Sequence, residues 1–395
     1  MDRQRDAMWI YSLGAVLFLL MGGAYWREWR PEWKLYQAEF RQLVAQRFGP
    51  DRAARVPEGI QQIWVPSLGR VDRCVTCHLG IEWKGLENAP HPYRAHPPEI
   101  LQKHPIARFG CTICHGGQGY ATDVRSAHAT RIEHWEEPLL GTELGKTYLL
   151  SDRKALLQIN CNICHRYDRE TAGAELINYA KQLVREKGCR ACHRINGRGG
   201  VIGPDLTYVG DKSPEQYDYS RIGGVKSVFA WHIAHFKNPK AMVAETVMPN
   251  FNFGSREAQA LAMLVMSWKR TTLPVEYLPG EPWADRPTPE EVEREQRMLT
   301  GEGAFFVKKG CFVCHEVSSL GIESAAKIGP DLANAYVDVQ SRFGKTLEDF
   351  LRSPTGTMAV VLATQIPLTE EEKREAIEKL KLAYQRKLER EASPK

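Results

Sequence analysis

Three things are missing from this sequence. No cysteine stands alone: all ten lie in closely spaced pairs. No methionine lies between Met21 and Met242, and after Trp26 no apolar run reaches membrane-spanning length. Ten cysteines in 395 residues are too few for a disulfide-dense scaffold, and their pairing along the chain excludes disulfides as their main use. Strong charge is also lacking, since a formal +5 is too mild to argue for nucleic acid. With 32 glycines and 23 prolines the chain is not collagen-like, and 43% apolar residues exclude disorder as its main state. The length suits two or three domains.

Each of the five cysteine pairs has the spacing CxxC, and His follows each directly. The motifs are Cys74-Val-Thr-Cys77-His78, Cys111-Thr-Ile-Cys114-His115, Cys161-Asn-Ile-Cys164-His165, Cys189-Arg-Ala-Cys192-His193 and Cys311-Phe-Val-Cys314-His315. This is the attachment signature of c-type haem. Two thiols one short turn apart can form thioethers with the two haem vinyl groups, and the next residue places an imidazole under the iron. Zinc sites and thioredoxin-like redox pairs also use CxxC, but neither requires His after every pair. The chain therefore resembles a pentahaem c-type cytochrome. That resemblance implies five covalently attached haem c groups and maturation on the outer side of a bacterial cytoplasmic membrane.

Met8 to Trp26 contains no charged residue. As a helix it would nearly span a hydrocarbon core of roughly 30 Å. Trp9, Tyr11, Tyr25 and Trp26 sit at its ends as an interfacial belt would. Arg3 and Arg5 precede it, diluted by Asp2 and Asp6. The run reads as an uncleaved single-pass anchor, with the haem domains on the periplasmic side. A signal peptide, with Gly22-Gly23-Ala24 as a poor cleavage site, is the alternative.

The predicted fold is mainly α with much irregular structure. Residues 1–30 form the anchor, and 31–70 a juxtamembrane helix and connector. The helical rhythm Trp33, Tyr36, Phe40, Leu43, Val44, Phe48 suits a helix packed on its own protein. Residues 59–70 alternate like a short strand that Pro66 confines to an edge. Residues 71–170 carry three motifs with little periodicity and read as a haem-packed trihaem region. An internal repeat follows, 171–275 and 291–395, joined by a Pro-rich linker over 276–290. In each copy a helix leads into the motif (173–187 and 303–309). Each motif is followed by Gly-Pro-Asp-Leu (203–206 and 329–332), a later Met, and a terminal amphipathic helix near 255–270 or 369–388. Thr288-Pro289-Glu290-Glu291 is a helix start.

Each copy is similar to a class I cytochrome c domain. In that family a proline carbonyl accepts a hydrogen bond from the proximal His, which would assign Pro204 to His193 and Pro330 to His315. The family's axial Met maps onto Met248 in Thr246-Val-Met-Pro249, and in the last domain onto Met358, where Ala359 replaces the usual Pro. Residues 231–251 also resemble the monohaem subunit of cbb3-type oxidases.

The missing methionines constrain the first three haems, which have no local thioether to take. Five spare histidines lie among them: His91, His96, His104, His128 and His134. Bis-His ligation follows, with His96, His104 and His128 preferred and His134 next; which His serves which iron stays open. His232 and His235 are assigned to the class I domain's own pattern. Met opposite His raises a haem's potential relative to two His ligands, so electrons would run from the trihaem region toward the C-terminal domains. Two propionates per haem, roughly ten negative charges in all, bring a sequence of pI 8.6 to near neutral or mildly acidic.

The stretch Val71-Asp-Arg-Cys74 to His104-Pro, then Phe109-Gly-Cys111 to Gly119, looks like multihaem cytochromes that accompany Rieske and cytochrome b subunits. The resemblance covers about residues 59–140. It implies a respiratory electron-transfer subunit between a quinol-linked complex and a soluble or membrane-bound acceptor, with no nucleic acid involved. A catalytic multihaem oxidoreductase of the nitrogen-oxide reductase or peroxidase type would need an open iron. A direct quinol dehydrogenase of the small tetrahaem type would not need two class I domains.

Overall fold

Helix α1, Arg3–Trp29, buries none of its residues. It opens an apolar segment that is the one candidate membrane span among the described residues; an N-terminal signal sequence would have the same character. The computed structural model describes residues 3–135, 137–140, 153–279, 287–324 and 326–392, and separates into two compact units, Met1–Leu144 and Gly145–Lys395.

In the first unit α2, Trp33–Phe48, turns Phe40 and Val44 fully inward against Leu79, Leu86, Ala89 and Tyr93. The Phe40 ring meets Trp83 edge-on at 5.4 Å. Burying such a ring stabilises by about 2 kcal/mol. Strands β1, Ile63–Val65, and β2, Arg70–Asp72, pair antiparallel with Ile63 opposite Asp72. Pro66 ends β1 by opening a short 3-10 turn, and Gly69 closes that turn in the left-handed region at φ 58°. The rest of the unit is turns and helices of four to six residues.

The second unit is built on longer helices. Among its helices are α3 (Leu157–Cys164), α4 (Glu175–Glu186), α5 (Val228–Lys237), α6 (Ser255–Ser267), α7 (Pro289–Leu299), the short α8 (Ala304–Lys308), α9 (Thr357–Thr364) and α10 (Glu370–Ala392). Ile177, Ala180 and Leu183 form the buried apolar stripe of α4, which packs on α6, where Ala258, Leu261, Ala262 and Val265 are buried. Phe305, Phe306, Val317, Ile322, Phe350 and Leu380 make a second core around α8 and α10. The Thr288 hydroxyl and the Glu291 carboxylate cap α7 reciprocally. Pro282 of the linker lies outside the described residues.

One boundary differs from the sequence reading. The third motif, grouped there with the first two in residues 71–170, lies on α3 in the second unit. Helix α3 packs on α4 and α6, so the irregular region holds two motifs, not three. The sequence does not signal this helix, because its inward face is partly polar. Asn162, fully buried, donates to the Ser267 hydroxyl at 2.7 Å, and the Gln158 side-chain oxygen accepts from the Leu176 and Ile177 amides.

Candidate haem-binding sites

In the first unit, motifs one and two are held together by Asp72. Its buried carboxylate accepts from the Cys111 amide at 2.5 Å, the Thr112 amide at 3.0 Å and the Thr112 hydroxyl at 2.8 Å. Next to it, the Arg73 amide donates to the Gly119 carbonyl at 2.7 Å. A Cβ on Gly110 or on Gly119 would run into the Asp72 carboxylate, so this packing requires glycine at both places. Thus the pattern Val71-Asp-Arg-Cys74 and Phe109-Gly-Cys111 to Gly119 is a physical clamp between the two motifs. From the other side the buried Gln37 amide of α2 donates to the Gly59 and Thr76 carbonyls at 2.6 and 3.2 Å, fixing the turn of motif one.

The same clamp brings histidines together in pairs. His78 faces His128 with ring centroids 6.2 Å apart and planes 63° from parallel. His96 faces His115, also at 6.2 Å, with planes at 84°. Two metal–nitrogen bonds of about 2 Å, plus the half-width of each ring, come to about 6 Å. The donor set therefore fits one iron between each pair. Burial, with His128 and His115 nearby, pushes the His78 imidazole down to about 4, while the Pro92 carbonyl acts against this as its hydrogen-bond partner. His115 is lowered by burial and by His96. Rings kept neutral in this way are ready to bind metal. His104 sets Nδ1 against the Ile100 carbonyl at 3.3 Å and its ring against Phe109 at 5.2 Å. His134 sits on an exposed turn with its side chain 89% accessible, 3.6 Å from Glu133. His91 is exposed.

In the second unit His165 follows α3, and its Nδ1 meets Asp168 Oδ2 at 2.6 Å. The buried Lys181 ammonium donates to the backbone carbonyls of both residues, at 2.8 and 2.7 Å. Arg166 ties this motif to the next domain through Asn196 Oδ1 and the Thr207 and Lys269 carbonyls. The sequence reading missed Asp168, although an acid three residues beyond CxxCH was a visible signal.

Motifs four and five are built alike. His193 Nδ1 lies 2.8 Å from the Pro204 carbonyl, and His315 Nδ1 lies 2.8 Å from the Pro330 carbonyl, as the class I resemblance implied. The Gly203 amide donates to Cys192 and the Gly329 amide to Cys314, both at 2.8 Å. A Cβ on either glycine would collide with the proximal imidazole, so each forms a cradle that only glycine leaves open. Burial lowers both proximal imidazoles.

Of the predicted axial methionines, Met248 is half-buried with its amide on the Thr246 hydroxyl at 3.2 Å. Met358, on α9, packs against the same apolar core as Cys311 and Phe312. His232 is buried with Nε2 3.2 Å from the Tyr217 hydroxyl. His235 stacks on Trp231 at 4.9 Å, and its buried Nδ1 has no hydrogen-bond partner among the described residues.

Residues 177–269 match the family model described as Cytochrome c. The match runs from α4 through motif four to just past the end of α6. This segment is a cytochrome c domain, which implies covalently bound haem c and electron transfer. No curated protein and no solved structure matches the chain.

Proposed function

We propose that the chain is a membrane-anchored pentahaem cytochrome c. It relays electrons between a quinol-linked membrane complex, with cytochrome b and iron–sulfur subunits, and a downstream acceptor outside the cytoplasm. One observation carries this reading. At motifs three, four and five the proximal ring sets Nδ1 against an oxygen acceptor, from Asp168, Pro204 and Pro330 respectively. Such a partner on Nδ1 fixes the tautomer and turns Nε2 toward the metal.

Haem supplies a one-electron couple at each motif. The chain's own residues orient the imidazoles, burial lowers those of His78, His115, His193 and His315, and side chains would close the irons against water. Spare His and Met side chains suffice for that closure, and closed irons favour relay over catalysis. Met248 and Met358 are the proposed axial ligands in the two C-terminal domains, and α1 is the proposed tether. Thioether ligation by these residues would raise the potential above that of bis-His haems and would favour electron flow from the N-terminal motifs toward the C-terminal ones.

Gentle extraction from membranes, followed by identification of co-purifying subunits, tests the assignment. Cytochrome b and iron–sulfur subunits are expected with the chain. A lone subunit that turns over nitrite or peroxide, or that reduces its haems with quinol alone, would contradict it.

A further inference from the structure

We infer that the first two haems are cross-ligated: His128 closes the iron of motif one and His96 closes the iron of motif two. The inference rests on the reading that these motifs carry haem, and adds which histidine serves which. Two ring pairs share one centroid separation, 6.2 Å, although they come from unrelated stretches of chain.

Local structure aims each distal ring. His96 donates its amide to the Ile81 carbonyl at 2.9 Å and sets Nδ1 3.3 Å from the Pro97 carbonyl, which leaves Nε2 for metal. His128 ends a helical turn, Val124–Ala127, that is capped by Asp123 through the Ser126 amide at 2.9 Å. That turn is tethered to α2's N-cap residue, Glu32, through the Val124 amide at 3.0 Å. The Gln118 amide donates to the Ala127 carbonyl at 3.0 Å, which binds the turn to the segment that follows motif two.

The connectivity has a consequence. The ligand for motif one arrives only after motif two has passed, and the ligand for motif two lies before it. Neither site can be completed by the chain that directly follows its own motif. The Cys111 amide also donates to the Asp72 carboxylate, two residues before Cys74, which sets the two attachment segments side by side. The two haems therefore form as one interlocked pair.

The steep angles between ring planes provide a readout in the unmodified holoprotein. Near-perpendicular axial imidazoles make two iron d orbitals nearly degenerate and give a single large-g resonance in the ferric low-spin state; parallel rings give a rhombic spectrum. Electron paramagnetic resonance of the oxidised holoprotein should show two large-g haems, and only rhombic signals would overturn the assignment. His128→Gly and His96→Gly should each turn one haem in five high-spin and open to carbon monoxide, with imidazole restoring the low-spin signal. His104→Gly and His134→Gly should leave motifs one and two low-spin. A His128→Gly protein that stays wholly low-spin, or a His104→Gly protein whose motif-one haem opens, would overturn the assignment. If the glycine variants do not fold, the wild-type spectrum decides. Haem-peptide mapping separates the two failures: unmodified Cys74 or Cys111 peptides refute haem at these motifs, whereas haem-bearing peptides with unchanged ligation refute only the cross-ligation.

Discussion

The two units support the same five-residue motif by different means. Around motifs one and two the structure offers turns, short helices and one buried carboxylate, with a small apolar core around α2 that reaches motif one only through Leu79. Around motifs three, four and five, helices bury apolar stripes against each other, and the proximal ring is held by a carbonyl or carboxylate a short way along the chain. A site held by polar clamps depends on its cofactor to complete the interior. A site set on packed helices has an interior of its own.

The largest expected effect tests that difference. Cys111→Ser with Cys114→Ser should abolish the haem of motif two and unfold the first unit. Cys189→Ser with Cys192→Ser should cost one haem but leave the α4–α6 packing. Limited proteolysis with haem staining distinguishes the outcomes, and equal sensitivity in both units would break the comparison.

Next comes Asp72→Ala, which strands two backbone amides and a hydroxyl. A destabilisation of about 3 kcal/mol or more is expected in denaturant titration followed by the Soret band, because each orphaned buried group costs about 1–3 kcal/mol. A loss below about 1 kcal/mol would mean the clamp is dispensable.

In the second unit, His232 carries a pH dependence. Burial, with His235 and Lys212 nearby, pushes its imidazole down to about 3 from an ordinary 6.5. The unfolded chain takes up this proton below 6.5 and the folded one does not, so the contribution is intact above 6.5 and lost as pH falls toward 3. By pH 5 that is about 2 kcal/mol. His232→Gln should flatten the acid limb of stability against pH over this range; an unchanged slope would count against a buried neutral ring.

A smaller effect is expected at Asp168. With haem at motif three, its carboxylate, 2.6 Å from His165 Nδ1, would favour ferric iron and lower the potential. Asp168→Asn should raise the third haem by about 60 mV, equivalent to about 1.4 kcal/mol for one electron. A spectroelectrochemical titration showing no rise would assign Asp168 a purely structural role. Smallest of all, Arg169→Ala breaks a half-exposed pair with Glu291 at 2.7 Å and should change the second unit's stability by less than about 1 kcal/mol.

Local chemistry was legible in the sequence. The five motifs, the proline carbonyls on His193 and His315, the α4 and α6 stripes and the Thr288 cap all depend on residues near one another in the chain or on a repeated pattern. Asp72 and Gln37 were not legible, because their partners lie 39 to 40 residues away for Asp72 and up to 39 away for Gln37. The placement of motif three was hidden by buried amides on a face where periodicity expects apolar residues. The histidine pairs were narrowed by the missing methionines, but only the folded chain brings His78 to His128 and His96 to His115.

The central claim is that all ten cysteines hold haem. Peptide mapping of the purified protein by mass spectrometry measures this directly. The account predicts one haem c on each of the peptides bearing Cys74 and Cys77, Cys111 and Cys114, Cys161 and Cys164, Cys189 and Cys192, and Cys311 and Cys314. Any of these peptides recovered with free thiols, a disulfide or bound zinc would contradict it.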